Sequence, residues 1–281
     1  MAPTPPVRGP AARQLGLPLP PARMPLARAG RPLKRWRYVG VFGPELMLCV
    51  GEARIGGIPQ RWWAVAEPDG TLHERTTAGR GGVGLDSERV RVRAERVEID
   101  LELGDDTGEA VEVVSPHGRS WIWTRKHANT PASGRVVLDG REHAVDGTAF
   151  IDESAGYHAR HTSWRWSAGI GRGEGGERVA WNLVAGVHDA PEASERSVWV
   201  DGEAREVGPV EFAEDLSRVA ERLSPSGGLS FDAWCAREDH TRRGFFRSDY
   251  LQPFGSFSGE LPGGPRLAAG YGVMEWHDVR W

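Results

Sequence analysis

The chain has 281 residues, enough for one large domain or two smaller ones with a substantial buried core. Its formal net charge is only -4, which argues against nucleic acid or an anionic membrane as the main partner. The longest purely apolar run is far shorter than the roughly 20 residues that a membrane-spanning helix needs. We therefore expect a soluble, cytoplasmic protein whose partner is a small molecule or another protein.

Residues 1–33 predict an extended arm. The first 32 residues hold nine of the chain's 20 prolines, and no acidic residue occurs before Glu45. A transit peptide is the alternative, because the segment is rich in arginine and poor in acids, but it lacks the serines and the amphipathic pattern of such peptides. We expect four leucines to hold the arm against the body of the protein: Leu15, Leu17, Leu19 and Leu26.

From Lys34 onward the sequence predicts one antiparallel strand after another. The clearest lies at residues 96–103, where Val, Ile and Leu alternate with Glu and Asp, giving one buried and one solvated face. Asp139-Gly140 and Asp201-Gly202 each separate two short β-prone runs and predict hairpin turns. This spacing of strands is typical of barrels and sandwiches.

Two segments interrupt the strands. Four apolar residues between Phe212 and Leu223 fall at helical spacing, which leaves a short helix open there. Residues 128–134 (ANTPASG) predict a boundary between two β units, so we expect a first unit at 34–130 and a second at 131–281. The predicted fold is all-β, with two antiparallel barrels or sandwiches packed together behind an extended proline-rich arm.

The chain contains no phosphate-binding loop, metal signature or nucleophile elbow, so we expect neither a cofactor nor a metal. Carboxylates and histidines remain for the chemistry. Residues 150–186 gather Asp152, Glu153, two histidines and three tryptophans. A carboxyl group among indoles loses solvation and its pKa rises, so Asp152 or Glu153 could act as a general acid; the alternative is that both cap a turn in water.

Further candidates depend on which strand face points inward. His158 and His161 are three residues apart, so on a strand they do not converge on one metal ion, although one of them could be a proton shuttle or hydrogen-bond donor in a pocket. Glu275, if it points inward, needs a partner and is either a structural anchor or a catalyst. Our candidate catalytic residues are Asp152, Glu275 and His161. Our candidate ligand-binding residues are Tyr157, Trp164, Trp166, Asn182, Glu195, Trp199, Gln252, Phe254 and His277.

Several ordered blocks resemble those of the bacterial family known as domain of unknown function 2804. They are AFIDESAGYHARHTSWRWSAG, VAWNLVAGV, SERSVWVDG, SDYLQPFGSFSG and GYGVMEWHDVRW. The resemblance covers roughly Lys34 to the end of the chain and implies no particular reaction.

A more remote resemblance concerns the central block. The series Asp152, Gly156, Trp164-Arg165-Trp166 and residues 179–184 is similar to the carotenoid 1,2-hydratase and AttH-like families, although those families tend to have a histidine where this chain has Glu153. They consist of two lipocalin-like barrels, which implies a calycin-like fold here. The resemblance also implies that Asp152 protonates an alkene while Trp164 and Trp166 line the pocket.

The expected function is to bind a hydrophobic small molecule of isoprenoid, lipid or polyketide-like type. The protein could then be a cofactor-independent hydratase, isomerase or cyclase that uses carboxylate acid–base chemistry. A non-catalytic lipid or isoprenoid carrier and a structural or interaction protein are the alternatives.

Overall fold

The computed structural model describes residues 5–79, 81–223, 227–244 and 246–281. The N-terminal segment contains three two-residue strands and one 3-10 helix: β1 (Val7–Arg8), the helix (Gly9–Leu15), β2 (Ala27–Arg28) and β3 (Arg31–Pro32). Within the described ranges, no helix is both long and apolar enough to cross a membrane.

Two large antiparallel sheets follow. The strands that build the first are β4 (Lys34–Phe42), β5 (Met47–Ile55), β6 (Ile58–Ala66), β7 (Leu72–Ala78), β8 (Val83–Leu85), β9 (Arg89–Arg93), β10 (Val97–Leu103), β11 (Val111–His117), β12 (Ser120–Leu138) and β13 (Arg141–Gly156). Those of the second are β14 (His161–Gly173), β15 (Arg178–Ala185), β16 (Ser197–Val200), β17 (Glu203–Glu206), β18 (Val210–Phe212), β19 (Arg218–Glu221), β20 (Leu229–Arg243), β21 (Phe246–Glu260) and β22 (Arg266–Arg280).

The two sheets share one strand order. The first runs β7-β6-β5-β4-β13-β12-β10-β9-β8, with β11 and β1 attached beside β12, and the second runs β17-β16-β15-β14-β22-β21-β20-β19-β18. In each sheet a four-strand meander comes first, and its first strand then pairs with the last strand of the sheet. This topology confirms the predicted all-β fold of two barrel-like sheets.

Each sheet encloses apolar side chains, and a third apolar cluster joins the two sheets. The strand predicted at residues 96–103 is confirmed: its apolar side chains are buried inside the first sheet, while Glu98 and Glu102 are exposed. The joining cluster contains Tyr38 and Phe150 from the first sheet and Trp166 from the second. Burial of apolar area at this joint holds the sheets together.

Both predicted hairpin turns are confirmed. Asp139-Gly140 connects β12 to β13, and Asp201-Gly202 connects β16 to β17. The φ angles are 49° and 83° in the first turn and 49° and 93° in the second. A tight hairpin requires positive φ at both central residues, and Asp-Gly accepts it at low cost.

The segment with helical spacing forms no helix. Residues 210–212 pair instead with residues 218–221 as the strands β18 and β19. The Asp215 carboxylate accepts hydrogen bonds from the Ser217 N–H at 3.0 Å and from its hydroxyl at 2.6 Å, which stabilises the connecting turn. Leu216 is buried, whereas Leu223, the last apolar residue of the helical series, is exposed.

The sheets divide the chain between Gly156 and His161. The boundary expected from the sequence, between residues 130 and 131, lies inside β12, where the register shifts between His127 and Thr130 without ending the strand. A β-bulge accommodates such a shift within a continuous ladder. Pro131 and Gly134, which suggested a linker, lie beyond the shift and pair with Thr148 and Val145. We propose a division at residues 157–160 as the boundary between the two units.

The N-terminal arm lies along the first sheet. Leu19 is buried against a cluster that includes Trp121 and Tyr157, and Leu15 and Leu17 pack partly buried at its edge. Leu26, in contrast, is exposed, so it does not contribute to this contact.

Candidate functional site

The two carboxylates singled out from the sequence lie at the joint between the sheets. Asp152 is on β13 of the first sheet and Glu275 on β22 of the second, and both are buried. Trp36 donates its indole N–H to Asp152, and Trp164 donates its own to Glu275. Because these two indoles stack on each other across the joint, the acids belong to one region. We call it the inter-sheet polar region; its members are Trp36, Lys126, Asp152, Trp164, Glu195, Tyr250, Gln252 and Glu275.

Three donors surround the Glu275 carboxylate. Trp164 Nε1 lies 2.7 Å from Oε1, while the Tyr250 hydroxyl and Gln252 Nε2 lie 3.1 and 2.8 Å from Oε2. Burial raises the pKa of Glu275 to about 7, although the hydrogen bonds from Trp164 and Tyr250 act against the rise. A carboxyl group with a pKa near neutrality can both give and take a proton at ordinary pH.

Asp152 has a different environment, because it faces a buried ammonium. Lys126 lies directly opposite Asp152 in the ladder of β12 and β13, with Nζ 2.5 Å from Oδ1. The same ammonium is 3.4 Å from Glu195 Oε1. Burial acts to lower the pKa of Lys126, but Asp152 and Glu195 outweigh it and the pKa is raised.

Glu195 completes this ion cluster. It is buried, and burial raises its pKa. Its Oε2 has no hydrogen-bond partner among the described residues. Two ionised carboxyl groups facing one ammonium carry one negative charge in excess, and the charge of Asp152 adds to burial in raising the pKa of Glu195.

Aromatic rings cover both acids. Trp36 and Trp164 are partly exposed, with ring centroids 6.4 Å apart and ring planes 5° from parallel. Trp166 lies deeper, where Tyr38 contacts it edge-on at 5.6 Å. We expect access from solvent to the two buried carboxylates to pass beside Trp36 and Trp164, because these are the outermost rings of the region.

Asn182 fixes the deeper tryptophan and the loop that carries Glu195. Its Oδ1 accepts a hydrogen bond from Trp166 Nε1 at 2.8 Å, and its Nδ2 donates to the main-chain carbonyl of Glu195 at 2.9 Å. Asn182 is itself fully buried on β15. The second sheet therefore positions Glu195 against Lys126 of the first sheet.

His277 borders this region next to Trp164. The centroids of the two rings are 4.5 Å apart, and Nε2 is 2.9 Å from the Ser248 hydroxyl. Burial lowers the pKa of His277 to about 4, so the ring is neutral at physiological pH. A neutral ring beside Ser248 is a hydrogen-bonding group and not a counter-ion for Glu275.

The remaining candidates lie elsewhere. Tyr157 packs beneath the N-terminal arm, where its hydroxyl donates to the Pro25 carbonyl at 2.9 Å. His161 is exposed and pairs with Asp278 at 2.8 Å. Trp199 and Phe254 are fully buried in the apolar cluster that joins the sheets. Among the described residues, none of these four forms a hydrogen bond or ion pair with Asp152 or Glu275.

Three members of the region were missed by reasoning from the sequence. They are Trp36, Lys126 and Tyr250. Tyr250 could have been found, because it alternates with Gln252 along β21 and shares its face. Lys126 had a compositional signal, since it is one of only two lysines among 35 basic residues.

A surface depression of about 300 Å³ lies apart from these residues. Its lining includes Arg61, Val83 and Arg93 of the first sheet. No residue of the inter-sheet polar region lines it. The depression is therefore not the opening of the carboxylate region.

A family model described as Domain of unknown function (DUF2804) matches residues 68–281. The chain belongs to this family. The match starts later than Lys34, where the resemblance of the sequence blocks began, and it includes both Asp152 and Glu275. Among curated proteins, none matches this DUF2804 chain.

Two solved structures are similar to the DUF2804 chain. One is described as an AttH from Nitrosomonas europaea, with a TM-score of 0.56 and 15% identity over 93% of this chain and 98% of that chain. The other is kievitone hydratase from Nectria haematococca, with a TM-score of 0.56 and 12% identity over 86% of this chain and 88% of that chain. At these identities the likeness is one of fold.

Proposed function

We propose that this protein binds a largely apolar small molecule at the joint between its sheets and catalyses proton transfer to it without a cofactor, with Glu275 as the acid. The observation that carries the proposal is the buried Glu275 carboxyl group, whose pKa burial raises to about 7. At neutral pH a substantial fraction of such a group is protonated and able to donate. An ordinary, solvated glutamate would be almost entirely ionised.

The donors around Glu275 suit the step that follows. When the acid gives its proton to a C=C bond, a new C–H bond forms and positive charge develops on the neighbouring carbon. The carboxylate left behind is stabilised by Trp164, Tyr250 and Gln252, whose N–H and O–H groups already point at its oxygens. The faces of Trp36 and Trp164 would stabilise the developing cation.

The fate of the cation decides the reaction class. Addition of water, with loss of its proton to Glu275, gives hydration. Loss of a different substrate proton to Glu275 gives isomerisation. Attack by a second C=C bond forms a ring and a new cation, and loss of a proton from that cation to Glu275 completes cyclisation. Kievitone hydratase, which has a similar fold, is a hydratase by name. This likeness supports hydration as the first class to test.

We propose roles for the two acids other than those that the resemblance implies. The resemblance to the carotenoid hydratase and AttH-like families assigned the proton donor to Asp152. The Asp152 carboxylate is occupied by an ion pair with Lys126, whose Nζ lies 2.5 Å from Oδ1. We propose instead that Asp152 holds Lys126 and supplies negative charge opposite the cation, while Glu275 donates the proton.

Binding without turnover is the second candidate function. Both oxygens of Glu275 already accept hydrogen bonds from the protein, which is what a carboxylate that only organises a pocket would do. A lipid or isoprenoid carrier would use the same aromatic surface and would leave its ligand unchanged.

Labelled water separates the two candidates. The protein is incubated in H2¹⁸O and in D2O with a panel of isoprenoid alkenes, unsaturated fatty acids and conjugated enones, and the small molecules are extracted and examined by mass spectrometry. We expect enzyme-dependent ¹⁸O or deuterium in one class of compound, lost in Glu275→Gln. Glu153→Gln is the matched control, because Glu153 pairs with Arg37 outside the region.

Each result of this experiment has one meaning. Label incorporated by the parent and by Glu153→Gln, but not by Glu275→Gln, supports the enzyme. A compound that is retained by the protein without label in any variant supports the carrier. Undiminished incorporation by Glu275→Gln would show that Glu275 is not the acid.

A further inference from the structure

Lys34 is a buried ammonium that has no acidic partner in the described part of the chain. It is the first residue of β4 and only 1% exposed. Its Nζ donates to the main-chain carbonyl of His158 at 3.2 Å and lies 4.4 Å from the centroid of the Trp281 ring. Among the residues that the structure describes, no carboxylate lies within 4.0 Å of it. A buried charge of this kind is costly unless something neutralises it.

The other buried lysine, Lys126, differs from Lys34 in the charges around it. These two are the only lysines of the chain, and both are buried. Lys126 faces two carboxylates, whereas the charge that acts on the pKa of Lys34 is that of another cation, Arg31. Burial, followed by the charge of Arg31, lowers the pKa of Lys34 to about 8, so the ammonium form still predominates at neutral pH.

Two histidines beside Lys34 also have unused hydrogen-bonding capacity. The ring centroids of His117 and His158 are 5.8 Å apart. His117 Nε2 and His158 Nδ1 are buried and have no hydrogen-bond partner within the described ranges. Burial, with Lys34 and Arg31 contributing, lowers the pKa of both rings, so each is a neutral imidazole that can present an N–H donor.

Arg31, on strand β3, is the fourth residue of this group. Its Nη1 donates to the carbonyls of His117 at 2.9 Å and of Tyr157 at 3.3 Å. No carboxylate of the described chain forms an ion pair with it. Arg31, Lys34, His117 and His158 therefore bring two cations and two neutral donors together without a negative charge among them.

We propose that Arg31, Lys34, His117 and His158 form a binding site for a small oxyanion group, a carboxylate or a phosphate. An oxyanion would neutralise the buried ammonium and accept hydrogen bonds from the unpartnered ring nitrogens. Arg31 and His117 are partly exposed, whereas Lys34 and His158 are buried.

The site adjoins the inter-sheet polar region through Trp36. The Trp36 ring is 5.0 Å from the His158 ring on one side and 6.4 Å from Trp164 on the other. A molecule with its anionic group at Lys34 and an apolar body along Trp36 would extend toward Asp152 and Glu275. The substrate class that we infer is thus an unsaturated apolar molecule with a carboxylate or phosphate head. This second step depends on the proposed function; the oxyanion site does not.

The presence of only two lysines makes the site directly measurable. With lysine labelled by ¹³C at Cε, NMR gives one signal for Lys34 and one for Lys126, and each titration midpoint can be followed separately. We add inorganic phosphate, acetate or benzoate, with sodium chloride at equal ionic strength as the reference. A bound anion favours the charged amine, so we expect the Lys34 midpoint to rise by about one pH unit while Lys126 does not respond.

Two variants extend the test. Lys34→Met removes the ammonium, and Arg35→Gln removes the exposed cation on the adjacent residue. We expect phosphate or a carboxylate to raise the melting temperature of the parent and of Arg35→Gln, and to lose this effect in Lys34→Met. If Lys34→Met does not fold, the NMR titration of Lys34 in the labelled parent protein still tests the oxyanion site.

The outcomes distinguish the site from the substrate assignment. A Lys34 midpoint that none of the three anions moves would overturn the oxyanion site. A midpoint that moves with phosphate alone assigns the site to a phosphate head, and one that moves with acetate and benzoate assigns it to a carboxylate. Benzoate binding at least about tenfold tighter than acetate supports an apolar body beside the anion, and equal binding contradicts it. Glu275→Gln should keep the whole response, so failure of the acid role leaves this result unaffected.

Discussion

Trp36 and Trp164 stack across the joint between the sheets, with ring centroids 6.4 Å apart and ring planes 5° from parallel. Each donates its indole N–H to a carboxylate of its own sheet. Trp36 binds Asp152 at 3.3 Å and Trp164 binds Glu275 at 2.7 Å. The two halves of the protein thus place an acid and a ring in corresponding positions. Because each indole serves a different acid, the two can be tested separately.

Replacement of Trp164 by Phe should raise the pKa of Glu275 above about 7. Burial is the main cause of the raised pKa of Glu275, and the hydrogen bond from the indole N–H acts against it by stabilising the ionised carboxylate. Loss of this hydrogen bond should therefore raise the pKa further. The measurement is the titration of Glu275 by ¹³C NMR with carboxyl-labelled glutamate, assigned by its absence in Glu275→Gln.

Trp36→Phe is the matched control for that titration. This substitution removes the other indole of the stack, but the hydrogen bond lost is the one to Asp152 and not one to Glu275. The titration midpoint of Glu275 should therefore move much less than in Trp164→Phe. Equal shifts in the two variants would mean that general exposure to water, and not the Trp164 hydrogen bond, sets the pKa of Glu275.

Replacement of Lys126 by Met should destabilise the protein strongly. The substitution leaves Asp152 and Glu195 buried without their common cation, and breaking a buried ion pair typically costs about 3–5 kcal/mol. Urea denaturation at neutral pH measures the loss. Arg222→Gln removes an exposed ion pair with Glu211 and should cost at most about 1 kcal/mol.

The ion cluster also predicts a partial rescue. In Lys126→Met, the added change Glu195→Gln removes one of the two uncompensated carboxyl groups and should recover part of the lost stability. If Lys126→Met cost no more than Arg222→Gln, the cluster would not contribute to folding.

Glu275 should make folding less favourable as the pH rises. Its pKa is about 7 in the folded protein against an ordinary value of 4.5, so between these pH values the folded state binds the proton that the unfolded state has released. The stabilisation is complete below pH 4.5 and is lost as the pH rises through 7, a difference of about 3 kcal/mol from the shift in pKa. The difference in unfolding free energy between the parent and Glu275→Gln should therefore fall with pH over this window.

His277 acts in the opposite direction. Its pKa falls from 6.5 to about 4 on folding, so it contributes stability that is present above pH 6.5 and lost as the pH falls through 4. The comparison with Glu275→Gln cancels this contribution, because both proteins keep His277. A difference that stays flat from pH 4 to pH 8 would show that Glu275 titrates normally.

The parts of the fold that were predictable from the sequence are those set by local rules. Apolar and polar residues alternate at residues 96–103 because one face of this strand packs against the core and the other faces solvent. Asp-Gly occurs at the two hairpin turns because a tight hairpin needs positive φ at both central residues. Residues 128–134, where we expected a boundary, lie inside the long strand β12. Pro131 and Gly134 pair there with Thr148 and Val145, and local composition does not distinguish such a strand interior from a linker. The apolar residues near residue 216 have helical spacing, but this segment forms the paired strands β18 and β19 instead of a helix.

The site was only partly predictable, for a different reason. Glu275 could be identified because a carboxylate on the inner face of a strand needs a partner, and that need is visible in the alternation. Its partners could not be identified, since Trp164 is 111 residues away along the chain and only sheet register brings them together. The same holds for Lys126 and Glu195, which come from different sheets.

The shared strand order has a consequence for the order of folding. In each sheet the last strand pairs with the first strand of the meander, so β22 pairs with β14 across a long stretch of intervening chain. Such long-range pairing is slow, because a large loop must be closed before any contact is gained. Glu275 lies on β22, and its three donors lie on β14 and β21, so its hydrogen bonds cannot all form until these three strands have paired. A chain in which they are unpaired would carry an ordinary, solvated carboxylate, and the acid would be created when the three strands come together.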